Sequence, residues 1–330
     1  MAKVVHTNIR TVDVSYVPLR TADRLEQGTP VGYLHPEYAA SFVEFGRPRV
    51  LPRSGGAILE RQILGSRSSD AMGCYPFLVC RDWSGLAADV GDLARDLVSL
   101  AAVTDPLGVC DPSILEGSFD FVRPFKEHFV ADLCQPIDVI ISKHHRYYAR
   151  KAAEHIDVVV CEDPVQYLDK WIQLYAVLKE RHDITGVRGF SVGAFEKQLR
   201  VPGMVLVCGF HKGCIVGANL ACVHGRNAYI HLSAFSEQGY QLRASYAIRF
   251  AAMEYLQARG VCWLGLGAGV GLKADDNDGL SQFKRGWSTG TRTVYFCGRV
   301  FDHEKYASIK EAKNIGSTDY FPAYRQGEFG

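Results

Sequence analysis

The chain has 330 residues, 47% of them apolar and 22% charged, with a formal net charge of +1. That balance excludes a disordered or low-complexity polypeptide and leaves room for one large or two medium domains; near-neutrality means that a polyanion must be met by a local basic patch. The ten cysteines stand at 74, 80, 110, 134, 161, 208, 214, 222, 262 and 297, never as Cys-x-x-Cys, which removes zinc-ribbon and redox-pair readings. Several of them, such as Cys161, Cys208 and Cys262, lie in apolar strand-like runs where a reduced thiol behaves as a small hydrophobe, so a reducing, cytoplasmic setting is expected. Residues 1–20 hold no apolar core of signal-peptide length, and nowhere do the about 18 apolar residues of a membrane span run together.

In chain order, residues 4–17 alternate loosely and suggest an edge strand before the turn-prone Gly28-Thr29-Pro30. Residues 45–69 are rich in Gly, Pro, Ser and Arg and read as a mobile loop, whose arginines either meet phosphates or simply stay solvated. "YPFLVC" at 75–80 reads as a strand, and Leu86, Val90, Leu93, Leu97 and Leu100 recur at helical spacing. "VSLAAVTDP", "FKEHFVADL" and "DVIISK" add strands or short helices of unassigned order. Residues 142–152 form the most basic segment and are expected to be helical from about His145; the adjacent His144 and His145 point to different faces and make a poor metal pair.

A helix over 165–181 buries Leu168, Trp171, Ile172, Tyr175 and Leu178 on one stripe, which is core spacing. Residues 204–235 split at His211-Lys212-Gly213 and His224-Gly225-Arg226-Asn227 into three strands joined by hairpin turns. The stretch around which the rest is arranged comes next. Ala247, Phe250, Ala251, Tyr255 and Leu256 mark a helix over 244–257 ended by Arg259-Gly260, and Val261–Leu266 is a buried strand. A glycine-rich opening and an acidic loop then lead to Gly279-Leu280-Ser281-Gln282-Phe283-Lys284-Arg285-Gly286-Trp287. A helix feeding a central strand and then a glycine-rich opening is where α/β proteins place ligands.

Together, "ARGVCWLGLGAG", the acidic loop and "GLSQFKRGW" resemble the C-terminal half of the Fem family, non-ribosomal peptidyltransferases built from two GNAT-fold modules, and their acyltransferase relatives. The most specific piece is Phe283-Lys284 after the Gly-Leu step; the likeness runs over about 163–300, with "YLDKWIQLYAVLKERHDITG", "FSVGAFEKQL" and Pro202-Gly203 in the family's order. The resemblance implies an α/β protein of two GNAT-like modules, residues 1–160 forming a degenerate N-terminal one and 161–330 the acyltransferase one. It implies transfer of an aminoacyl group from aminoacyl-tRNA to an amine acceptor, forming an amide by direct attack, with no metal, no resident cofactor and no covalent enzyme intermediate. An acyl-CoA-dependent N-acyltransferase of the same fold and a non-catalytic binding protein that kept the fold are the alternatives. A peptidoglycan precursor, an antibiotic intermediate and a protein N-terminus all suit the acceptor role.

The resemblance places Lys284 beside the reacting ester, where an ammonium stabilises charge developing on the carbonyl oxygen, with Phe283, Arg285 and Trp287 around the substrate. His231, at the end of the third strand, is a candidate proton acceptor from the attacking amine, or else a satisfied core histidine. Tyr240 and Arg243 are candidates for the acceptor cleft, and Asp276 and Asp278 either bind an amine or solubilise a loop. Lys143, Arg146, Arg150 and Lys151, interleaved with tyrosines, suit phosphate contact and base stacking, or else an ordinary solvated helix face. Acetyl-CoA enzymes of the GNAT class cradle the pyrophosphate with Gln/Arg-x-x-Gly-x-Gly/Ala at the start of the helix; here Gln241-Leu242-Arg243-Ala244-Ser245-Tyr246 puts Ala and Tyr at the glycine positions, which favours aminoacyl-tRNA as donor.

Three further motifs fail on context. Gly265-x-Gly267-x-Gly269-x-Gly271 lacks the Rossmann spacing and the helix after it. Asp276-Asn277-Asp278-Gly279 resembles part of an EF-hand loop, but Ala274 stands at the first ligand position and Arg285 at the terminal glutamate position. Gly189-x-Ser191-x-Gly193 follows a helix and a turn rather than the strand a nucleophile elbow needs, so a hydrolase is not expected.

Overall fold

The computed structural model describes residues 30–108, 111–269 and 278–328. The strand expected at 4–17, Gly28-Thr29, Ala274 and the candidate Asp276 lie outside the described residues. In chain order the elements are α1 (Pro36–Ala40), β1 (Arg47–Val50), β2 (Ala57–Gln62), β3 (Ser69–Gly73), α2 (Leu86–Leu93), β4 (Leu97–Val103), α3 (Pro112–Ser118), β5 (Phe121–Asp132), α4 (Ile137–Ile140) and α5 (Lys143–Ala153). They continue with β6 (Asp157–Cys161), α6 (Leu168–His182), α7 (Val192–Gln198), β7 (Met204–His211), β8 (Cys214–His224), β9 (Asn227–Phe235), α8 (Glu237–Gln241) and α9 (Ala244–Ala258). The last are β10 (Trp263–Ala268), α10 (Gly279–Arg285), β11 (Gly290–Val300) and α11 (His303–Ala312). The protein is mixed α/β, as expected.

Two compact units emerge, each drawing on separate stretches of chain. Unit I takes residues 30–32, 128–184 and 198–292; unit II takes 33–127, 185–197 and 293 onward. The boundary expected at 160/161 falls inside β6, whose Asp157–Cys161 pair antiparallel with Phe210–Leu206 of β7, so no seam runs there.

In unit I, the neighbours run β5, β10, β9, β8, β7, β6. The meander β7–β8–β9 turns at the two places that the sequence marks, with Lys212 and Gly213 and then Gly225 at positive φ as tight hairpins require. Helix α9 then returns along one face and β10 enters parallel to β9. The α9 face toward the sheet carries Ala244, Ala247, Ile248, Ala251, Ala252 and Leu256, all buried, and α5 packs against it through Ala149 and Ala152. Small residues let the backbones approach, and each of Ile248, Met253 and Leu256 gains about 1.5–3 kcal/mol from burial. Helix α6 covers β8 and β9, burying Trp171, Leu174 and Tyr175.

In unit II, β1–β2–β3 is an antiparallel meander, β4 joins β3 in parallel and β11 closes on β4 antiparallel. Three expectations are corrected here. The "mobile loop" of 45–69 contains β1, β2 and the start of β3: β1 is an edge strand, where Pro48 removes no ladder hydrogen bond that the sheet requires. Residues 75–80 form no strand; Leu78 makes a single bridge to Thr104, its N–H donating to Val103 O at 2.7 Å. The helical spacing of 86–100 also misleads, because α2 stops at Leu93 and Leu97–Val103 become β4: pairing on both edges, with β3 and β11, outweighs a local periodicity.

Candidate active site

The site is built in unit I where β9 and β10 part. They pair in parallel only at Asn227–Trp263, Ala228–Leu264 and Tyr229–Gly265, although β9 continues to Phe235 and β10 to Ala268. Beyond Gly265 the register of β10 on β5 also shifts, leaving Leu266 as an extra residue, and Gly267 adopts φ +79. A side chain at Gly267 is strained by that backbone angle, and its Cβ would stand 2.9 Å from Lys284 Nζ, pushing the ammonium from its place.

Lys284 is half-buried, and its Nζ donates to Ala268 O, the last residue of β10, at 2.6 Å. The lysine is held there by α10, which Asp278 starts: its Oδ1 accepts from the N–H groups of Leu280 (2.8 Å) and Ser281 (2.9 Å), and its Oδ2 from Ser281 Oγ. Asp278, a candidate amine ligand by sequence, thus has its carboxylate engaged in capping.

The C-terminal end of α10 is locked to the start of α5. Ser142 N–H donates to Gly286 O at 3.0 Å, and His145 Nε2 lies 3.0 Å from Phe283 O. A carbonyl only accepts, so Nε2 carries the proton, and Nδ1 accepts from Ser142 Oγ at 2.9 Å. Burial, opposed by the bond to Phe283 O, lowers the His145 pKa below 6.5 and keeps the ring neutral. Gly286 is required by this ring: a Cβ on it would stand 2.0 Å from His145 Cε1.

Around His145 gathers an aromatic cluster. Trp287 meets it edge-on at 5.0 Å, Tyr246 lies at 5.2 Å and Phe283 at 5.7 Å, and Tyr246 meets Phe283 edge-on at 5.2 Å. Tyr148 of α5 packs on Tyr246 at 5.4 Å and carries the Arg243 guanidinium 4.0 Å above its ring. Sequence reading names Phe283, Trp287 and Arg243 but misses Ser142, His145, Tyr148 and Gly286. The available signal was Ser142 three residues ahead of His145, an N-cap whose Oγ accepts from the His145 N–H.

Of the candidates, Phe283 and Lys284 are brought together with Tyr246 and the open end of β10. Trp287 is 0% exposed and is corrected from substrate contact to core. Arg285 is exposed above the Phe129 ring at 6.0 Å. Tyr240 packs edge-on against Phe235 at 5.7 Å with the Arg181 guanidinium 4.2 Å over its ring. His231 occupies the irregularity in the β8–β9 ladder, between the pairs Leu220–Leu232 and Ala221–Ile230, and burial pulls its pKa down to about 3. So weak a base is the core histidine of the two readings. On α5, Lys143, Arg146 and Arg150 follow one another at intervals of three and four beside Tyr147, which is 50% exposed, while Lys151 pairs with Glu154 at 3.1 Å.

Three arginines of 45–69 are held in ion pairs. Arg47 pairs with Glu60 at 2.7 Å, Arg49 with Asp96 at 2.8 Å and Arg53 with Asp92 at 2.7 Å.

No family model matches the chain, and no curated protein sequence does. Solved structures do. FemX aligns with a TM-score of 0.61 over 86% of this chain and 96% of its own, at 13% identity. The fold is Fem-like. The C-terminal domain of a putative lysylphosphatidylglycerol synthetase from Agrobacterium fabrum shares the Fem-like fold with a TM-score of 0.56 at 17% identity, over 84% of this chain and 91% of that one. L-PGS from Bacillus licheniformis does so with a TM-score of 0.52 at 14% identity, over 86% and 97%. Agreement at this identity is agreement of fold.

Proposed function

We propose that the chain is an acyltransferase that forms an amide bond, with aminoacyl-tRNA as the donor and an amine as the acceptor. The observation that carries the reading is Lys284 fixed at 2.6 Å from Ala268 O, at the end of β10 where β9 and β10 have parted. The parted strands offer backbone edges for an acyl chain, and the anchored ammonium stands where an ester carbonyl can point. The acceptor nitrogen attacks that carbonyl; the ammonium stabilises the oxyanion of the tetrahedral intermediate; the ester oxygen then leaves, carrying away the proton lost by the amine. A lysine held in place before reaction needs no reorganisation during it, the condition under which such a donor contributes most.

The choice of donor follows from α9. Its N-cap, Arg243, adopts φ 55, and the first turn behind it carries Tyr246, packed into the His145 cluster rather than leaving bare backbone for a pyrophosphate. The basic stripe of α5 and Arg243 over Tyr148 offer an RNA backbone cations and rings instead. The two-module reading of the chain, with unit I as the acyltransferase module, belongs to the same proposal, as does a cytoplasmic setting.

The test presents the purified chain with labelled aminoacyl-tRNAs and, separately, labelled acyl-CoA, each with a panel of amines. Amide formed from aminoacyl-tRNA, lost on ribonuclease treatment and reduced about 10²–10³-fold in kcat by Lys284→Ala, is the expected result. Turnover of acyl-CoA alone overturns the donor, and unchanged turnover in Lys284→Ala overturns the role of the lysine.

A further inference from the structure

At the end of β10 away from Lys284, three side chains meet that the acyl-transfer reading does not use. The β8–β9 turn bends so that Arg226 O accepts from the N–H groups of Cys262 (2.7 Å) and Trp263 (3.1 Å). The same residue folds its guanidinium onto the Cys262 sulfur, with Nη2 at 2.6 Å and Nε at 3.1 Å. Both donors converge on the one sulfur atom, and a thiolate is the form of cysteine that accepts strongly.

A second thiol lies beside it. Leu133 N–H donates to Cys262 O at 2.7 Å, continuing the β5–β10 ladder, so Cys134 sits one residue off a cross-strand pair with Cys262, and each thiol shifts the titration of the other. Cys134 is exposed, and its backbone is fixed by Asp132, whose Oδ1 accepts from Cys134 N at 3.0 Å. Sequence reading places Cys262 among reduced thiols that behave as small hydrophobes, and the residue is buried at 9% exposure.

The remaining thiols supply the contrast. Burial pushes Cys74 and Cys208 up to about 12, and Cys161 donates to Asp163 O at 3.1 Å and is raised by burial. The Cys262 pKa is instead lowered, first by the neighbouring Cys134 and then by Arg226, with burial and the nearby Asp132 carboxylate opposing; that of Cys134 is raised, first by Cys262.

We propose that Cys262 is an oxidant-reactive thiolate and Cys134 its resolving thiol, so that a hydroperoxide joins the two in a disulfide between the end of β5 and the start of β10. The Cys262 thiolate attacks one peroxide oxygen; the O–O bond breaks, giving the sulfenic acid and hydroxide (an alkoxide from an organic hydroperoxide). The Cys134 sulfur then attacks the Cys262 sulfur; the S–O bond breaks, and the thiol proton leaves with the hydroxyl as water. The two thiols lose two electrons and the peroxide gains them.

The test treats the reduced full chain with stoichiometric hydrogen peroxide at neutral pH, blocks the remaining thiols by alkylation and maps the peptides by mass. The expected product is a Cys134–Cys262 linked peptide that dithiothreitol removes, while the exposed Cys214, which lacks an arginine, stays alkylatable. In Cys134→Ser, dimedone should mark Cys262. Arg226→Lys and Arg226→Gln, with folding checked by melting, should slow the oxidation about tenfold, because the sulfur loses its two guanidinium donors. Oxidation of Cys214 as fast as Cys262, absence of both the linked peptide and the dimedone adduct, or an unchanged rate in a folded Arg226 variant would overturn the assignment. Should neither Arg226 variant fold, the linked peptide and the Cys134→Ser adduct decide.

Discussion

The two units bury arginine in opposite ways. In unit II, Arg325 is 7% exposed and grips the fully buried Asp70 side-on, Nε to Oδ2 at 2.9 Å and Nη2 to Oδ1 at 2.8 Å. Asp89 there is likewise saturated, accepting from Arg53 N, Ser54 N and Ser54 Oγ. In unit I, Arg249 of α9 is 4% exposed, and no carboxylate stands within ion-pair distance of it among the described residues. Its Nη2 reaches only the neutral Ser233 Oγ at 3.2 Å and Asn219 Oδ1 at 3.5 Å, and burial pulls its pKa down to about 9. Unit II closes its charges on one another and so fixes its own packing. Unit I, which carries Lys284 beside the parted strands, keeps a buried cation uncompensated on the α9 side of its sheet, where it adds positive potential.

The comparison breaks hardest at Asp70. Asp70→Asn would leave Arg325 with only the more exposed Glu328, at 3.4 Å, in a pocket built around the buried carboxylate, and a loss of about 3–5 kcal/mol is expected in denaturant melts. A loss below about 1 kcal/mol would mean that unit II does not depend on the pair, and the contrast would fail.

Gly286→Ala tests the neutral cluster of unit I. The added methyl would meet the His145 ring at 2.0 Å, and neither ring nor backbone can retreat without breaking the bonds to Ser142 Oγ and Phe283 O. About 1–3 kcal/mol should be lost. Gly286→Ala combined with His145→Ala should recover part of it, which a melt of the double variant checks.

Much of this was readable beforehand, and the reason differs by element. Helix α9, the three-strand meander and β10 follow from periodicity and turn residues, because each is buried along one continuous face. The Phe283-Lys284 pair was legible by resemblance. The lock of His145 onto Phe283 O was not, since it joins residues 138 positions apart, and neither side shows a local signal of the other. The split of units was hidden for the same reason: β11 follows α10 in sequence but pairs with β4, nearly 200 residues earlier. The paired arginines of 45–69 look like phosphate ligands only while Glu60, Asp92 and Asp96 are out of view.

The buried histidines of unit I add a dependence on pH. The folded pKa of His231, about 3, lies below the ordinary 6.5. Between those values the unfolded chain binds a proton that the folded one refuses, so stability falls as pH drops from 6.5 toward 3, at about 1.4 kcal/mol per pH unit for one full proton. Neutral His145 shifts in the same direction. His231→Gln should flatten part of the slope in urea midpoints taken from pH 7 to 4; an unchanged slope would show that burial is not what holds the ring neutral.

The smallest effect is expected at the residue that opened the contrast. Arg249→Met removes a buried charge that no carboxylate offsets and keeps most of the side-chain volume, so stability at pH 7 should change by no more than about 1 kcal/mol, on the stabilising side. The sign has a pH signature. Below about pH 9 the guanidinium is charged in the folded and unfolded chains alike, and its desolvation penalty is constant. From there toward 12.5 the folded state alone releases the proton, so the penalty is relieved and stability gains with rising pH. The difference in urea midpoint between the parent chain and Arg249→Met should therefore narrow from pH 7 to pH 10. A difference that stays constant would mean that Arg249 remains charged inside the fold, held by Asn219 and Ser233 more strongly than their distances suggest. A Met variant much less stable than the parent would place Arg249 with Arg325, as a cation the unit needs.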